Sequence, residues 1–380
     1  MFGKLRRPVA LTVSILLLAI LFAGCSSGKY DIVIGVLVPT SGDDADTGKD
    51  MMQAYQLAVS EINKAGGVLG RNLRLFQADD GSEAGMASVA ASKIITEGVD
   101  FVVGGYNSGA TLITLQQFSD ANLLMLITAA NGADITRQGF NRAFMVNSPA
   151  THIVLTLIDL LNFTGAHNIA IIHRGSSYSQ NLSDLCEAGL PGAGFNIAAI
   201  ETLNGNAANI SNAVASVLST DIDFVFWCGD YEDGADVIRT LRHSGYEGHV
   251  GVSDASATPA LIEAAGFEGD RVFIISPPHA AYIHGAEAFV LAYRAFHKMN
   301  PDDETFPGAY ALLAYDTIYL LKTAIERVGT TETEAVRNAM QNIEFQGLSG
   351  IFKFTPDRER TQSSFILMQI DYDEFIRVIP

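Results

Sequence analysis

Two hydrophobic periods alternate along this chain. Short runs of β-branched and apolar residues, such as IVIGVLV after Asp31, read as buried strands. Between them, apolar residues recur every three or four positions. In 47–65, Met51, Tyr55, Ala58 and Ile62 share one face and Gly66-Gly67 supplies the stop. The pattern predicts strands at 31–38, 72–78, 101–104 and 123–127, with helices at 47–65, 82–97 and 108–121. After Asn147-Ser148-Pro149 the rhythm restarts. Helices at 150–164, 178–191, 207–219, 231–244 and 258–265 alternate with strands at 168–173, 195–200, 223–227, 249–252 and 271–276. Helices at 285–298, 307–328 and 331–342 follow, then short β segments at 351–354, 363–370 and 375–379. Strands alternating with helices of this length form βα units, hence an α/β fold of parallel sheets with helices on both faces. The roughly 355 residues after Cys25 suit two such doubly wound, Rossmann-like lobes.

The first residues stand apart. MFGKLRRP is basic, VALTVSILLLAILF is uninterruptedly apolar, and small residues precede Cys25. This is the layout of a secretory signal, too short for a comfortable membrane span. Ala23-Gly24-Cys25 resembles a bacterial lipobox, with Phe22 where Leu is usual; the resemblance implies removal of 1–24 and lipidation of Cys25. The alternative is an uncleaved N-terminal anchor. Both place the remainder outside the cytoplasmic membrane and tethered to it.

Charge narrows the partners. Without Lys4, Arg6 and Arg7, Lys+Arg falls from 24 to 21 against 42 Asp+Glu, so the net charge moves from −18 to −21. Such a chain suits neither nucleic acid nor anionic membrane faces. After Cys25 only Cys186 and Cys228 remain. They fall on different predicted elements, and buried thiols are expected over a disulfide. The chain has no CxxC, no HExxH and only scattered His, so no metal or other cofactor is expected.

One stretch carries candidate chemistry. In VDFVVGGYNSGATLITLQQF, residues 99–118, a strand meets Gly-Gly and then a helix start. Free N–H groups and the positive end of a helix dipole make an anion seat there. Neither GxxxxGK[ST] nor GxGxxG is present, and no Lys or Arg occurs between Lys93 and Arg137. A monoanionic carboxylate, held by N–H groups and the hydroxyl of Ser108, fits better than a phosphate. Taken alone, Ser108 reads simply as a helix cap.

IGVLVPTSG, AVSEINKAGGVLGRNLRL and QADDGSEAGMASVAASKII resemble the opening of the type I periplasmic binding proteins, in the leucine/isoleucine/valine-binding branch of ABC importer receptors. FVVGGYNSGAT, NLLMLITAANGADIT, IAIIHRGSSYSQNL, DFVFWCGDYEDGADVIRTLRHSGY, SDASATPALIEAAGFEG and FQGLSGIFKFTPDRER extend the likeness through the chain. The resemblance implies two lobes joined by three crossing segments, near Ser148-Pro149, Ser276–Pro278 and Gly350. Lobe one would be 30–148 plus 279–349, and lobe two 149–278 plus 351–380.

It also implies a ligand cleft. Ser108 matches the family's carboxylate-binding Ser, flanked by Tyr106 and Asn107. Ala129, Ala130 and Asn131 match a loop that lends backbone groups, with Asn131 replacing a Thr. Asp254 matches the acidic partner of the ligand's ammonium; the alternative is that it caps a helix near Thr258. Tyr178 matches a cleft tyrosine, although Ser179 replaces the usual Gly. Asp230 stands where an aromatic residue is common, as a second acidic contact or a helix cap. Thr47 replaces an aromatic residue before Gly48, and Trp227 reads as core. Fewer rings and more Asp and Thr favour polar amino acids, or small amides such as urea, beside branched-chain ones.

The function implied is an extracytoplasmic, lipid-anchored, monomeric receptor that hands an amino acid to an ABC permease and ATPase. A sensory lipoprotein of the same fold is the alternative. An enzyme would need an activated nucleophile; there is no GxSxG, and His173 near Ser176 or Ser177 is the one weak pair.

Overall fold

The computed structural model describes residues 30–203, 207–299 and 306–378. The expected signal segment 1–24 and the expected lipidation site Cys25 lie outside the described residues. Among those described, no helix is long and apolar enough to cross a membrane.

The first sheet has the strand order β2-β1-β3-β4-β5, all parallel. Its strands are β1 (Ile32–Val38), β2 (Leu73–Asp79), β3 (Phe101–Gly104), β4 (Met125–Ile127) and β5 (Ala143–Met145). Helices α1 (Ala45–Lys64), α2 (Ala84–Glu97), α3 (Ser108–Asp120) and the short α4 (Ala133–Arg137) connect them. β1 is apolar almost throughout because it is central and covered on both faces.

The second sheet contains β6 (Asn168–His173), β7 (Asn196–Thr202), β8 (Phe224–Cys228), β9 (His249–Val252), β10 (Phe273–Ser276), β13 (Ile366–Asp371) and β14 (Glu374–Arg377). Its order is β14-β13-β10-β9-β8-β6-β7, with β13 and β14 antiparallel at one edge. α5 (Ala150–Thr164), α6 (Ser177–Gly189), α7 (Ala207–Leu218), α8 (Tyr231–His243) and α9 (Pro259–Ala265) cover its faces. The remaining helices, α10 (Glu287–Phe296), α11 (Ala311–Val328) and α12 (Thr333–Gln341), return to the first lobe, where α11 packs along α1.

The chain passes between lobes three times: between β5 and α5, between β10 and α10, and late in the sequence. The late passage is displaced from the expected Gly350. β11 (Phe345–Gly347) and β12 (Gly350–Phe352) form a hairpin whose Phe352, with Phe354 beyond it, is buried in the first lobe's core. Arg358 O still accepts the Met145 N–H at 2.9 Å. The crossing therefore runs through 361–365, where Ser364 N donates to Ser148 Oγ at 2.8 Å beside the first crossing.

β5, α4 and β11 escaped the sequence pattern because each is too short to show a period. The expected helix at 307–328 begins only at Ala311; Gly308–Tyr310 form a turn pinned by Gly308 N–H donating to Asp50 Oδ2 at 3.0 Å. Trp227 is fully buried in the second lobe, as expected, and its Nε1–H donates to Asp230 O at 3.0 Å.

Cys186 and Cys228 are both free and buried. Burial pushes the Cys186 thiol up to about 12 and raises Cys228 as well. Neither should react with a thiol reagent in the native protein at pH 8, and both should react in urea. Rapid native labelling would contradict this packing.

Candidate functional site

In both sheets the strand order reverses at a central strand, beside β1 in one lobe and beside β6 in the other. Ligands in open α/β sheets bind outside the carboxyl ends of strands at such points. The loops after β1, β3 and β4 here face those after β6, β8 and β9. Between them lie two adjoining spaces, a small one of about 30 Å³ and a larger one of about 340 Å³. Tyr106, Asp230, Asp254, Ala255 and Tyr310 wall both. A wider hollow of about 760 Å³ on lobe two sits at the opposite, amino ends of β9 and β10, away from these loops.

The small space is built on the glycine turn after β3. Gly104 has φ +114°, and a Cβ there would come within 2.1 Å of Leu37 O, so only glycine lets β3 leave the sheet here. The chain then turns through Tyr106 and Asn107 into α3. Asn107 is the cap, its Oδ1 accepting from Ala110 N–H at 3.1 Å. This replaces the capping alternative for Ser108: Ser108 is the first helical residue, and its N–H and that of Gly109 have no intrahelical acceptor. Ser108 Oγ lies 3.3 Å from the Gly132 N–H that it accepts, and the side chain is buried against the small space.

Asp254 stands on the other side. It opens a single 3₁₀ turn, Asp254–Ser256, and does not cap α9; Thr258 does, accepting from Ala260 N–H. The freed carboxylate points into the cleft and gathers three donors. Tyr178 OH donates to Oδ1, while Asn131 Nδ2 at 2.9 Å and Tyr310 OH at 3.3 Å donate to Oδ2. Asn131 and Tyr310 belong to lobe one, so Asp254 joins the lobes directly. Ala133 N–H adds a third cross-cleft bond, to Asn181 Oδ1 at 3.0 Å. Burial pushes the Asp254 carboxyl up to about 6 despite these donors.

The other expected residues divide. Ala129 and Ala130 line the small space, but both N–H groups donate inward to Gly105 O, leaving them to shape the wall. Tyr106 stands edge-on to Tyr310, ring centroids 5.4 Å apart, with Thr47 beside its hydroxyl. Asp230 lines the cleft without capping α8 by its side chain; its carboxylate is paired with Arg174, which also reaches Asp233 at 3.2 Å. His173 is bonded to Thr202 Oγ1 at 2.8 Å, so it activates neither Ser176 nor Ser177.

Tyr310 and Arg174 were not anticipated. Tyr310 arrives from the start of α11, far along the chain, with no local motif. Arg174 sits in the quoted IAIIHRGSSYSQNL, where only the position of a second acid showed that a cation was needed.

Two lobes that face each other across a polar cleft place the chain in the two-lobe α/β class of folds. A family profile described as "Periplasmic binding protein" matches residues 31–374. The chain belongs to that family, in its type I, leucine/isoleucine/valine-binding branch, whose members are solute-binding proteins and not enzymes.

Leu/Ile/Val-binding protein homolog 3 of Brucella melitensis is 26% identical over 314 residues, covering 82% of this chain and 83% of the relative. The leucine-, isoleucine-, valine-, threonine- and alanine-binding protein of Pseudomonas aeruginosa is 26% identical over 355 residues, covering 88% of each. A leucine-binding protein from Thermotoga maritima superposes with a TM-score of 0.83 at 21% identity, covering 92% of this chain and 98% of its own. The branched-chain amino acid transporter binding protein of Streptococcus pneumoniae, solved with isoleucine, gives 0.79 at 22%, covering 91% and 97%.

Proposed function

We propose that this protein is the receptor of an ABC importer, holding an α-amino acid in the interlobe cleft and delivering it to a membrane permease. The observation that carries this reading is the pairing, around one small space, of an anion seat at Ser108 with a buried carboxylate at Asp254. The ligand carboxylate takes the Ser108 hydroxyl and the free N–H groups at the start of α3. Its ammonium displaces the Asn131 amide from Asp254. Closure of the lobes excludes water and strengthens each polar contact. The amino acids in the relatives' names agree with this seat, and the signal and Cys25 suit a lipid-anchored protein on the outer face of the cell membrane.

The reading is tested by thermal unfolding of a soluble form beginning at Ser26, against amino acids, amides, urea, sugars and nucleotides. A ligand at about 100 times its Kd adds roughly 2.7 kcal/mol, a visible rise in midpoint. Stabilisation by α-amino acids is expected; stabilisation by urea or sugars alone would refute it. Ser108→Ala should weaken amino-acid binding by roughly 10-fold or more, the worth of a charge-assisted hydrogen bond.

A further inference from the structure

Beyond the Asp254 seat, the cleft opens into the larger space of about 340 Å³, room for roughly ten waters. If the α-groups occupy the small space, the ligand's side chain must pass Tyr106 and Tyr310 into this one. Among the described residues its lining includes Asp43, Asp44, Asp46, Asp50 and Asp230, and no Lys, Arg or His.

Most of these carboxylates are already satisfied. Asp46 pairs with Lys49 at 3.1 Å and is exposed. Asp230 pairs with Arg174. Asp50 accepts from Gly308 N–H and, at 3.1 Å, from Tyr293 OH. Asp44 differs. It flanks α1 without capping it, has no ion pair among the described residues, and has Asp43, Asp230 and Glu232 around it.

The Ser82 hydroxyl stands beside Asp44 as its one side-chain donor, and behind it the fully buried Asp80 leaves Oδ2 unmet while adding a further negative charge. Burial, with the charges of Asp230, Glu232 and Asp43, pushes the Asp44 carboxyl up to about 6 despite the Ser82 hydroxyl. An aliphatic ligand side chain would strip the remaining water from Asp44 and return nothing, at a cost of several kcal/mol. A cation would neutralise it.

We infer that the ligand is an α-amino acid with a cationic side chain, of the lysine, ornithine or arginine kind, whose distal charge is received by Asp44. This rests on the amino-acid reading above and sharpens it from class to side chain. Asp44 acts as a specificity residue: it selects among amino acids, whereas Ser108 and Asp254 hold what all of them share.

The test is calorimetric titration of the mature protein at pH 7 with L-lysine, L-arginine, L-leucine, L-glutamine and the diamine cadaverine. Lysine or arginine should bind at least about 10-fold more tightly than leucine or glutamine, and cadaverine at least about 10-fold more weakly than lysine. In Asp44→Asn the Kd ratio of leucine to lysine should fall at least about 10-fold, with circular dichroism confirming that the variant folds. Wild-type preference for leucine or glutamine would overturn the inference and leave the amino-acid receptor standing, even if the variant fails to fold. Cadaverine binding as tightly as lysine would also overturn it, because the carboxylate seat would then be idle. Binding of no amino acid would overturn both readings.

Discussion

Asp254→Asn should all but abolish ligand binding and, at the same time, make the empty protein more stable at pH 7. The two effects share one cause. The carboxylate is buried among Tyr178, Asn131 and Tyr310, and its pKa is raised from 3.8 to about 6. A carboxyl whose folded pKa lies above its unfolded value binds more protons in the native state between the two. Stability therefore falls as pH rises from about 4 to about 6, and above that the full penalty is present. At pH 7 it amounts to about 1–3 kcal/mol, which the neutral, isosteric Asn does not incur. Binding moves oppositely. Removing one partner of a buried ion pair costs about 3–5 kcal/mol, so affinity should drop roughly 100-fold or more. In the wild type, affinity for an ammonium ligand should weaken as pH falls below about 6, because a protonated Asp254 offers no charge. Urea unfolding and titration calorimetry at pH 5 and 7 check both arms. A variant that is less stable at pH 7, or that binds like wild type, would contradict the role given to Asp254.

Asp316→Ala should be the most damaging substitution for the fold itself. Asp316 is buried in α11 and accepts from Leu348 N–H at 3.0 Å, Ser349 N–H at 2.7 Å and Ser349 Oγ at 2.6 Å. The same turn is gripped from the other side by the buried Arg360, which donates to Ser349 O at 2.8 Å and Ile351 O at 3.1 Å and covers the Phe352 ring at 4.0 Å. Asp316 is also the charge that offsets Arg360, whose own pKa burial lowers to about 10. Alanine would leave two N–H groups, a hydroxyl and a guanidinium uncompensated. The expected loss is about 3–5 kcal/mol, read as a lower urea midpoint with an unchanged slope. A loss under about 1 kcal/mol would mean that water replaces the carboxylate and the network is slack. Because this turn leads into the third crossing, the damage should also reach lobe closure.

The strands and helices that frame the cleft were legible in the pattern because each buries a whole face. α5, β3, β6 and β9 fall where periodicity puts them, at Ala150–Thr164, Phe101–Gly104, Asn168–His173 and His249–Val252. The late crossing was not legible. Whether Phe352 and Phe354 join one core or the other depends on packing over long separation, and the residues themselves say only that they are buried. The site divides similarly. The glycine turn announces the helix start at Ser108 where the anion seat is proposed, because Gly104 is demanded by backbone contact. The family likeness pointed to Asp254. Its three donors come from Asn131, Tyr178 and Tyr310, which only the folded chain brings together. Arg174 likewise changes the meaning of Asp230: a free acid in the sequence is half of an ion pair in the structure.

The most direct test of the central claim is a titration of the wild-type protein at pH 7 with its tightest-binding α-amino acid, the matching des-amino acid and the matching decarboxylated amine. The account predicts that each analogue binds at least about 10-fold more weakly, since each leaves one of the two seats, Asp254 or Ser108, without its charge. Either analogue binding as tightly as the amino acid would contradict the paired seats on which the account stands.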